Sequence, residues 1–234
     1  MNEIATKEER LRTLMQEKGL DALWLRRVNN FAWATGGASA YVVISTDLGA
    51  ASLLYTPAGK FVITTNIEAP RLEQEEQLAG LGFEIRAAPW HEADQTIAEL
   101  TRGLKLGTDV PGAGTVDLSA ELAGLRMHLL PEEGTRLRQL GRACGKAIAT
   151  AAHRLRPGMT EQQIAAILAE ETLAQGAWPV VNLIATDERI FSFRHPLPTD
   201  KRLEKYAMLV LCGRRWGLVV SVTRLIHFGS LPVE

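Results

Sequence analysis

The chain has 234 residues, of which 46% are hydrophobic and 23% charged, and its net charge is −1 at pH 7. This near-neutral balance argues against nucleic acid or an acidic membrane surface as a partner. No stretch reaches the roughly 20 apolar residues that a membrane-spanning helix needs, and the charged start MNEIATKEERLR lacks the apolar core of a signal peptide. With only two cysteines, Cys144 and Cys212, we expect no disulfide framework and a cytoplasmic location.

The first part of the chain alternates helical and β-rich patterns. Thr6 followed by Glu9 is a capping-box signal that predicts a helix over about residues 7–18. Further helices are predicted over about 67–78 and 93–102, and strands over 22–25, 41–45, 51–55, 61–65, 83–87, 104–109 and 125–130. Strands alternating with helices predict an α/β domain with a mixed sheet.

The pattern changes near residues 130–131, where we place a domain boundary between residues 1–130 and 131–234. A long helix is predicted over 132–155, and Thr160 with Gln163 caps a second helix that ends at Gly176. A strand over about 180–185 and an irregular stretch over 191–198 follow. Two apolar runs, 208–212 and 218–228, then flank a basic turn at 213–217, which is the pattern of a long β-hairpin.

Several stretches resemble the pita-bread family, which includes methionine aminopeptidase, aminopeptidase P (Xaa-Pro aminopeptidase), prolidase and creatinase. The segment 136–177 is similar to the family's opening helices, and its Pro157-Gly158-Met159-Thr160-Glu161 matches the "PG.TE.E" turn. Two more stretches of this domain are similar to family segments, Arg194–Leu203 and Gly217–Arg224 ("gY.sD.TRT"). In the preceding domain, Gly19–Leu25 is similar to the "gLDALlv" strand and Asn30–Gly36 to the "N..YLTG" element. The resemblance implies an α/β (α+β) fold with a creatinase-type N-terminal domain and mixed β-sheet, followed by the first part of a pita-bread domain.

The resemblance also locates the family's metal ligands. Active peptidases of this family hold two divalent metals with two Asp, one His and two Glu, and the Asp pair lies on the two arms of this hairpin. Matching glycine to glycine, the Asp positions fall on Leu211 and Ser221. No Asp or Glu occurs between Glu204 and Glu234, so a shift of one position does not supply a ligand. We therefore expect no metal on this hairpin and no other cofactor.

In the family, the His ligand and both Glu ligands follow the hairpin, whereas this chain stops at Glu234. We expect a truncated chain, or a missing half that is supplied otherwise. Such a chain would expose an apolar sheet face, and we expect a homodimer or another masking partner to cover it.

His195 is the main candidate for catalysis, because it matches the family histidine near the substrate carbonyl and because imidazole suits proton transfer near neutral pH. The alternative is a loop histidine with only a structural hydrogen bond. Arg194 is a candidate for binding a substrate carboxylate or is simply solvated. Arg224 matches the family's "TR" arginine, as a substrate-binding residue or as a structural one.

The remaining candidates have a structural alternative. The cluster of Asn29, Asn30, Phe31, Trp33 and Tyr41 lies where the N-terminal domain of related enzymes edges the active site, but core packing explains it equally well. Cys144 and Cys212 fit core positions better than nucleophiles, since no supporting sequence motif accompanies either one.

We expect the ligand to be a peptide or a small guanidino or amide compound. Three functions remain open for the protein. The first is a non-canonical homologue or pseudoenzyme without the two-metal site. The second is a metal-free, creatinase-like hydrolase of a C–N bond that uses His195. The third is an ordinary Xaa-Pro peptidase. The missing carboxylates favour the first function. Fold alone would suggest the third, but fold does not fix function.

Overall fold

The computed structural model describes residues 2–230, without the side chains of Ala93 and Asp94. The chain forms two compact units, which divide between Glu133 and Gly134. No described helix is both long and apolar enough to cross a membrane.

The first unit is built on a six-stranded sheet. Its elements are α1 (Glu3–Glu17), β1 (Ala22–Arg27), α2 (Val28–Ala34), β2 (Leu48–Thr56), β3 (Gly59–Thr65), α3 (Ala69–Gln74), β4 (Glu84–Ala88), α4 (Ala93–Leu100), β5 (Leu106–Thr108), β6 (Thr115–Asp117) and α5 (Ser119–Met127), with a 3-10 turn at Leu78–Leu81. The strand order is β4-β3-β2-β1-β5-β6. The β1–β2 and β2–β3 pairs are antiparallel and the other three pairs are parallel. The predicted mixed sheet is therefore confirmed.

The predicted strand at Tyr41–Ser45 is wrong. The backbone turns there, with the amide of Thr46 donating to the carbonyl of Val43 at 3.2 Å. Val42 and Val43 are 65% and 59% exposed, so their β-branched side chains pack on no sheet. Three elements of this unit, α2, β6 and α5, were not predicted.

The predicted strand at Leu125–Leu130 is also wrong, because α5 runs through Met127. The Asp117 carboxylate accepts hydrogen bonds from the amide and hydroxyl of Ser119 at 2.9 and 2.6 Å, which favours a helix start at this point. Leu118 and Leu122 recur at helical spacing and are buried in the core, with Leu125 packed beside them.

The start of α1 differs from the prediction as well. Asn2, rather than Thr6, caps the helix, since its side-chain oxygen accepts the Ile4 amide at 3.1 Å. Asparagine is among the strongest N-cap residues, so the helix begins four residues earlier than the Thr6 signal indicated.

The second unit packs two helices on a small antiparallel sheet. Its elements are α6 (Pro131–Arg154, which begins in the first unit), α7 (Glu161–Ala174), β7 (Trp178–Thr186), α8 (Arg189–Ser192), β8 (Tyr206–Arg215) and β9 (Leu218–His227), with strand order β7-β8-β9. The capping box of Thr160 and Gln163 at the start of α7 is confirmed, with both reciprocal hydrogen bonds formed.

The hairpin turn is shorter than predicted, because β8 continues through Arg215 and only Trp216 and Gly217 connect it to β9. Both residues have positive φ, 55° and 71°. Positive φ at both central positions identifies a type I′ turn, whose twist matches that of the flanking strands.

One face of this sheet packs on the helices, and we name it the helix face. Its residues Ala207, Leu209 and Leu211 are fully buried against side chains of α6 and α7. Successive side chains of a strand point to opposite faces. The other face, which we name the open face, therefore carries Met208, Val210 and Cys212 of β8 and Val219, Ser221, Thr223, Leu225 and His227 of β9.

Candidate functional site

The hairpin places the two expected ligand positions on different faces of the sheet. Leu211 is fully buried on the helix face and pairs with Val222. Ser221 lies on the open face and pairs with Cys212, and the Cys212 Sγ and Ser221 Oγ atoms are 3.1 Å apart. The structure thus does not bring Leu211 and Ser221 together, and the side chain that faces Ser221 is Cys212.

This pair of side chains does not fit a two-metal centre. Hard divalent cations favour carboxylate oxygens that can bridge them, whereas Ser221 offers a neutral hydroxyl and Cys212 a soft sulfur atom. Neither strand of the hairpin contains Asp or Glu. Within residues 2–230, no group of three or more His, Cys, Asp or Glu side chains could hold a metal ion.

His195 and Arg194 lie in the segment between α8 and β8, and both side chains are exposed. Among the described residues, neither side chain makes a hydrogen bond or an ion pair. The structure therefore brings no carboxylate to His195 that would orient its ring for proton transfer, and both side chains face solvent.

Glu161 was not predicted as a site residue, but it contacts the chain on both sides of Arg194 and His195. Its fully buried carboxylate accepts hydrogen bonds from the Thr186 amide at 2.8 Å, from the Thr199 hydroxyl at 2.7 Å and from the Arg189 guanidinium. Thr186 ends β7 and Thr199 follows His195 by four residues. The signal in the sequence is the place of Glu161 in the "PG.TE" turn, which the capping box of Thr160 and Gln163 also explains.

The environment of Glu161 stabilises its charged form. Burial raises its pKa, but the hydrogen bonds from Thr199, Arg189 and Thr186 outweigh burial, so the pKa lies below its ordinary value. A buried carboxylate held in this way stays ionised at neutral pH.

Asp187 secures the same segment to β8. It has a φ of 51°, and its carboxylate accepts the amides of Glu204, Lys205 and Tyr206 at 3.0, 2.9 and 2.9 Å. Burial raises the pKa of Asp187, but these three backbone hydrogen bonds together lower it by more, so the pKa lies below its ordinary value. Glu161 and Asp187 therefore fasten the chain on both sides of Arg194 and His195.

Arg224 points away from the open face. It pairs with Leu209, a helix-face residue, and its guanidinium donates to the carbonyl of Thr223 at 3.4 Å. The structure therefore does not place Arg224 beside Ser221 and Cys212.

The polar–aromatic cluster of the first unit lies largely in the core. Phe31 and Trp33 are on α2 and buried. Asn30 donates to the buried carboxylate of Asp109 at 2.7 Å, and that carboxylate also accepts the Arg26 and Arg27 amides at 2.8 and 2.9 Å. These contacts fasten the start of α2 to the end of β5, which is a structural role.

The sequence matches two known domain families. Residues 8–110 match the creatinase/prolidase N-terminal domain, and residues 135–234 match metallopeptidase family M24. No curated protein is similar enough in sequence to match the chain. The two domain matches confirm the resemblance that the sequence motifs indicated.

Solved structures of Xaa-Pro-type peptidases have the same fold. The X-Pro aminopeptidase from Thermotoga maritima MSB8 is 20% identical with a TM-score of 0.73, over 95% of this chain and 65% of that chain. The prolidase from Pyrococcus horikoshii OT3 is 19% identical with a TM-score of 0.76, over 96% and 65%. The Xaa-Pro dipeptidase from Bacillus anthracis is 18% identical with a TM-score of 0.74, over 97% and 66%.

These similarities confirm the predicted fold class, a mixed α/β protein with a partial pita-bread domain. The chain spans only 65% of the length of the first two relatives. At such low identity the similarity establishes the fold and leaves the activity to be argued from the site.

Proposed function

We propose that this chain is a prolidase-like protein without two-metal catalysis, which binds an Xaa-Pro peptide and does not hydrolyse it. The chain belongs to the pita-bread family, in which a creatinase/prolidase N-terminal domain precedes an M24 peptidase domain. The observation that carries this proposal is the neutral pair of Cys212 and Ser221 on the open face. A two-metal mechanism needs carboxylates there to fix the ions and the attacking water.

The choice of ligand rests on the relatives. An X-Pro aminopeptidase, a prolidase and an Xaa-Pro dipeptidase have this fold. Arg194 supports the proposal, because its exposed guanidinium is available to a peptide carboxylate, which it can bind in bidentate geometry. The segment that presents Arg194 is held by Glu161 and Asp187, so little ordering is needed on binding. Free thiols at Cys144 and Cys212 suit a cytoplasmic location, which is part of the same proposal.

The test is a titration of the protein with Ala-Pro, with Pro-Ala as the reversed control, combined with an assay for released proline. We expect Ala-Pro to bind without turnover, with or without Mn²⁺, and Arg194→Ala to weaken binding about tenfold or more. Arg142→Ala, which removes an exposed arginine of α6, is the matched control and should leave binding unchanged.

Two results would overturn the proposal. Turnover of Ala-Pro that depends on Mn²⁺ would restore the ordinary Xaa-Pro peptidase. Turnover without metal that His195→Ala abolishes would establish the creatinase-like hydrolase instead.

A further inference from the structure

A buried lysine joins three helices of the first unit. Lys7, on α1, is fully buried. Its Nζ atom donates hydrogen bonds to the Glu3 carboxylate on the same helix at 2.7 Å, to the Trp33 carbonyl on α2 at 2.8 Å and to the Glu133 carboxylate on α6 at 2.9 Å. An ammonium group has three N–H donors, so all of them are used. These four residues, which all belong to the first unit, are named the lysine network.

The lysine network lies inside the unit, away from solvent. The side chains of Lys7, Glu3 and Glu133 are 1%, 9% and 3% exposed. Opening a buried ion pair is costly, because it leaves a charge in the interior without its partner. The Lys7 ammonium also lies 5.2 Å from the centre of the Trp33 ring, a distance at which the ring attracts a cation. Movement of Glu133 away from α1 is therefore strongly opposed.

The start of α6 has little else in its local sequence to hold it. Pro131 suits the first helical position, but Leu130 before it has no side-chain oxygen that could cap the helix. Gly134 follows within the first turns, and glycine is among the least favourable residues in a helix. Glu133 compensates, because one of its oxygens accepts the Leu130 amide at 2.9 Å while the other binds Lys7.

We propose that Lys7 is a conformational lock on the start of α6. While Lys7 binds Glu133, the helix runs without interruption from Pro131 to Arg154. When the pair opens, the first turns of α6, about residues 131–137, unwind while the sheet of the first unit stays folded. The two units divide between Glu133 and Gly134, so the lock sets whether the connection between them is helix or unwound chain.

The family matches do not account for this lock. Glu3, Lys7 and Glu133 lie outside both matched stretches, residues 8–110 and 135–234. The inference also does not depend on whether the protein binds or hydrolyses a peptide.

The test is hydrogen–deuterium exchange of the full chain, measured by mass spectrometry on a peptide covering residues 128–140 and on one covering β2 and β3. Lys7→Met removes the ammonium group and keeps a long side chain. We expect exchange in residues 128–140 to become about tenfold faster or more and exchange in β2 and β3 to stay unchanged. Lys18→Met is the matched control, since Lys18 pairs with Glu121 at a partly exposed surface and should change neither peptide.

A second variant, Glu133→Gln, keeps the volume of the side chain and removes its charge. It should accelerate exchange in the same peptide by a smaller factor, and it decides the question if Lys7→Met fails to fold. Equal acceleration in both peptides of Glu133→Gln would overturn the proposal, because it would show a general loss of stability. Unchanged exchange in residues 128–140 of both variants would overturn it as well.

Discussion

At the scale of single residues, Glu161 joins separate parts of the second unit through hydrogen bonds. Each of its carboxylate oxygens accepts more than one hydrogen bond. The Oε1 atom accepts from the amide and the hydroxyl of Thr186, and the Oε2 atom accepts from Thr199 and Arg189. Glutamine would replace one of these oxygens with an NH₂ group, which is itself a donor. We expect Glu161→Gln to lower the free energy of unfolding by about 2–4 kcal/mol at neutral pH, measured by urea denaturation.

The same substitution should change the pH dependence of stability. The pKa of Glu161 is lowered in the folded state, so its carboxylate stabilises the fold above its unfolded value of 4.5 and this contribution is lost as the pH falls through the folded pKa. The loss of unfolding free energy between about pH 6 and pH 3 should therefore be smaller in Glu161→Gln than in the unaltered protein. Glu204→Gln, at an exposed position of the same unit, should leave that slope unchanged. An identical slope in both variants would contradict this role.

At the scale of elements, the contact between α6 and β8 depends on a glycine. A Cβ atom on Gly213 would overlap the Sγ atom of Cys144. We expect Gly213→Ala to destabilise the second unit by about 1–3 kcal/mol through overpacking. In a Cys144→Ala background the sulfur atom is gone, so the same substitution should cost much less. A double-mutant cycle measured by thermal unfolding tests this, and additive effects of the two substitutions would contradict it.

The elements also show how far the sequence could be interpreted. The helix α7 was predictable, because Thr160 and Gln163 form their capping box from local hydrogen bonds alone. Residues 41–45 were not, because β propensity stabilises a strand only where a neighbouring strand is available. α5 was missed because the short run around Leu125 and Met127 fits a short helix and a short strand equally well. The hydrogen bonds from Ser119 to Asp117, which hold the chain at the helix start, are not visible in that pattern.

The candidate site was predictable in composition and less so in geometry. The absence of carboxylates on the hairpin follows from the sequence alone. Which side chain faces Ser221 does not, because a shift of one residue in a strand moves every side chain to the other face. The two-residue turn at Trp216 and Gly217 sets the register, and it places Cys212 opposite Ser221 and directs Leu211 into the helix face.

At the scale of the whole molecule, fold and chemistry give different indications. Most of the chain has the fold of Xaa-Pro-type peptidases, but neither strand of the hairpin contains a carboxylate that could hold a pair of divalent metal ions. We therefore propose that this hairpin does not bind a pair of divalent metal ions.

The most direct measurement is a titration of the protein with Co²⁺, with binding measured by isothermal titration calorimetry. We predict no stoichiometric binding by the unaltered protein and a gain of binding in Cys212→Asp/Ser221→Asp, which places two carboxylates opposite each other on the open face. The matched control Leu211→Asp/Ser221→Asp places them on different faces and should show no gain. Stoichiometric Co²⁺ binding by the unaltered protein that Ser221→Ala abolishes would contradict the account.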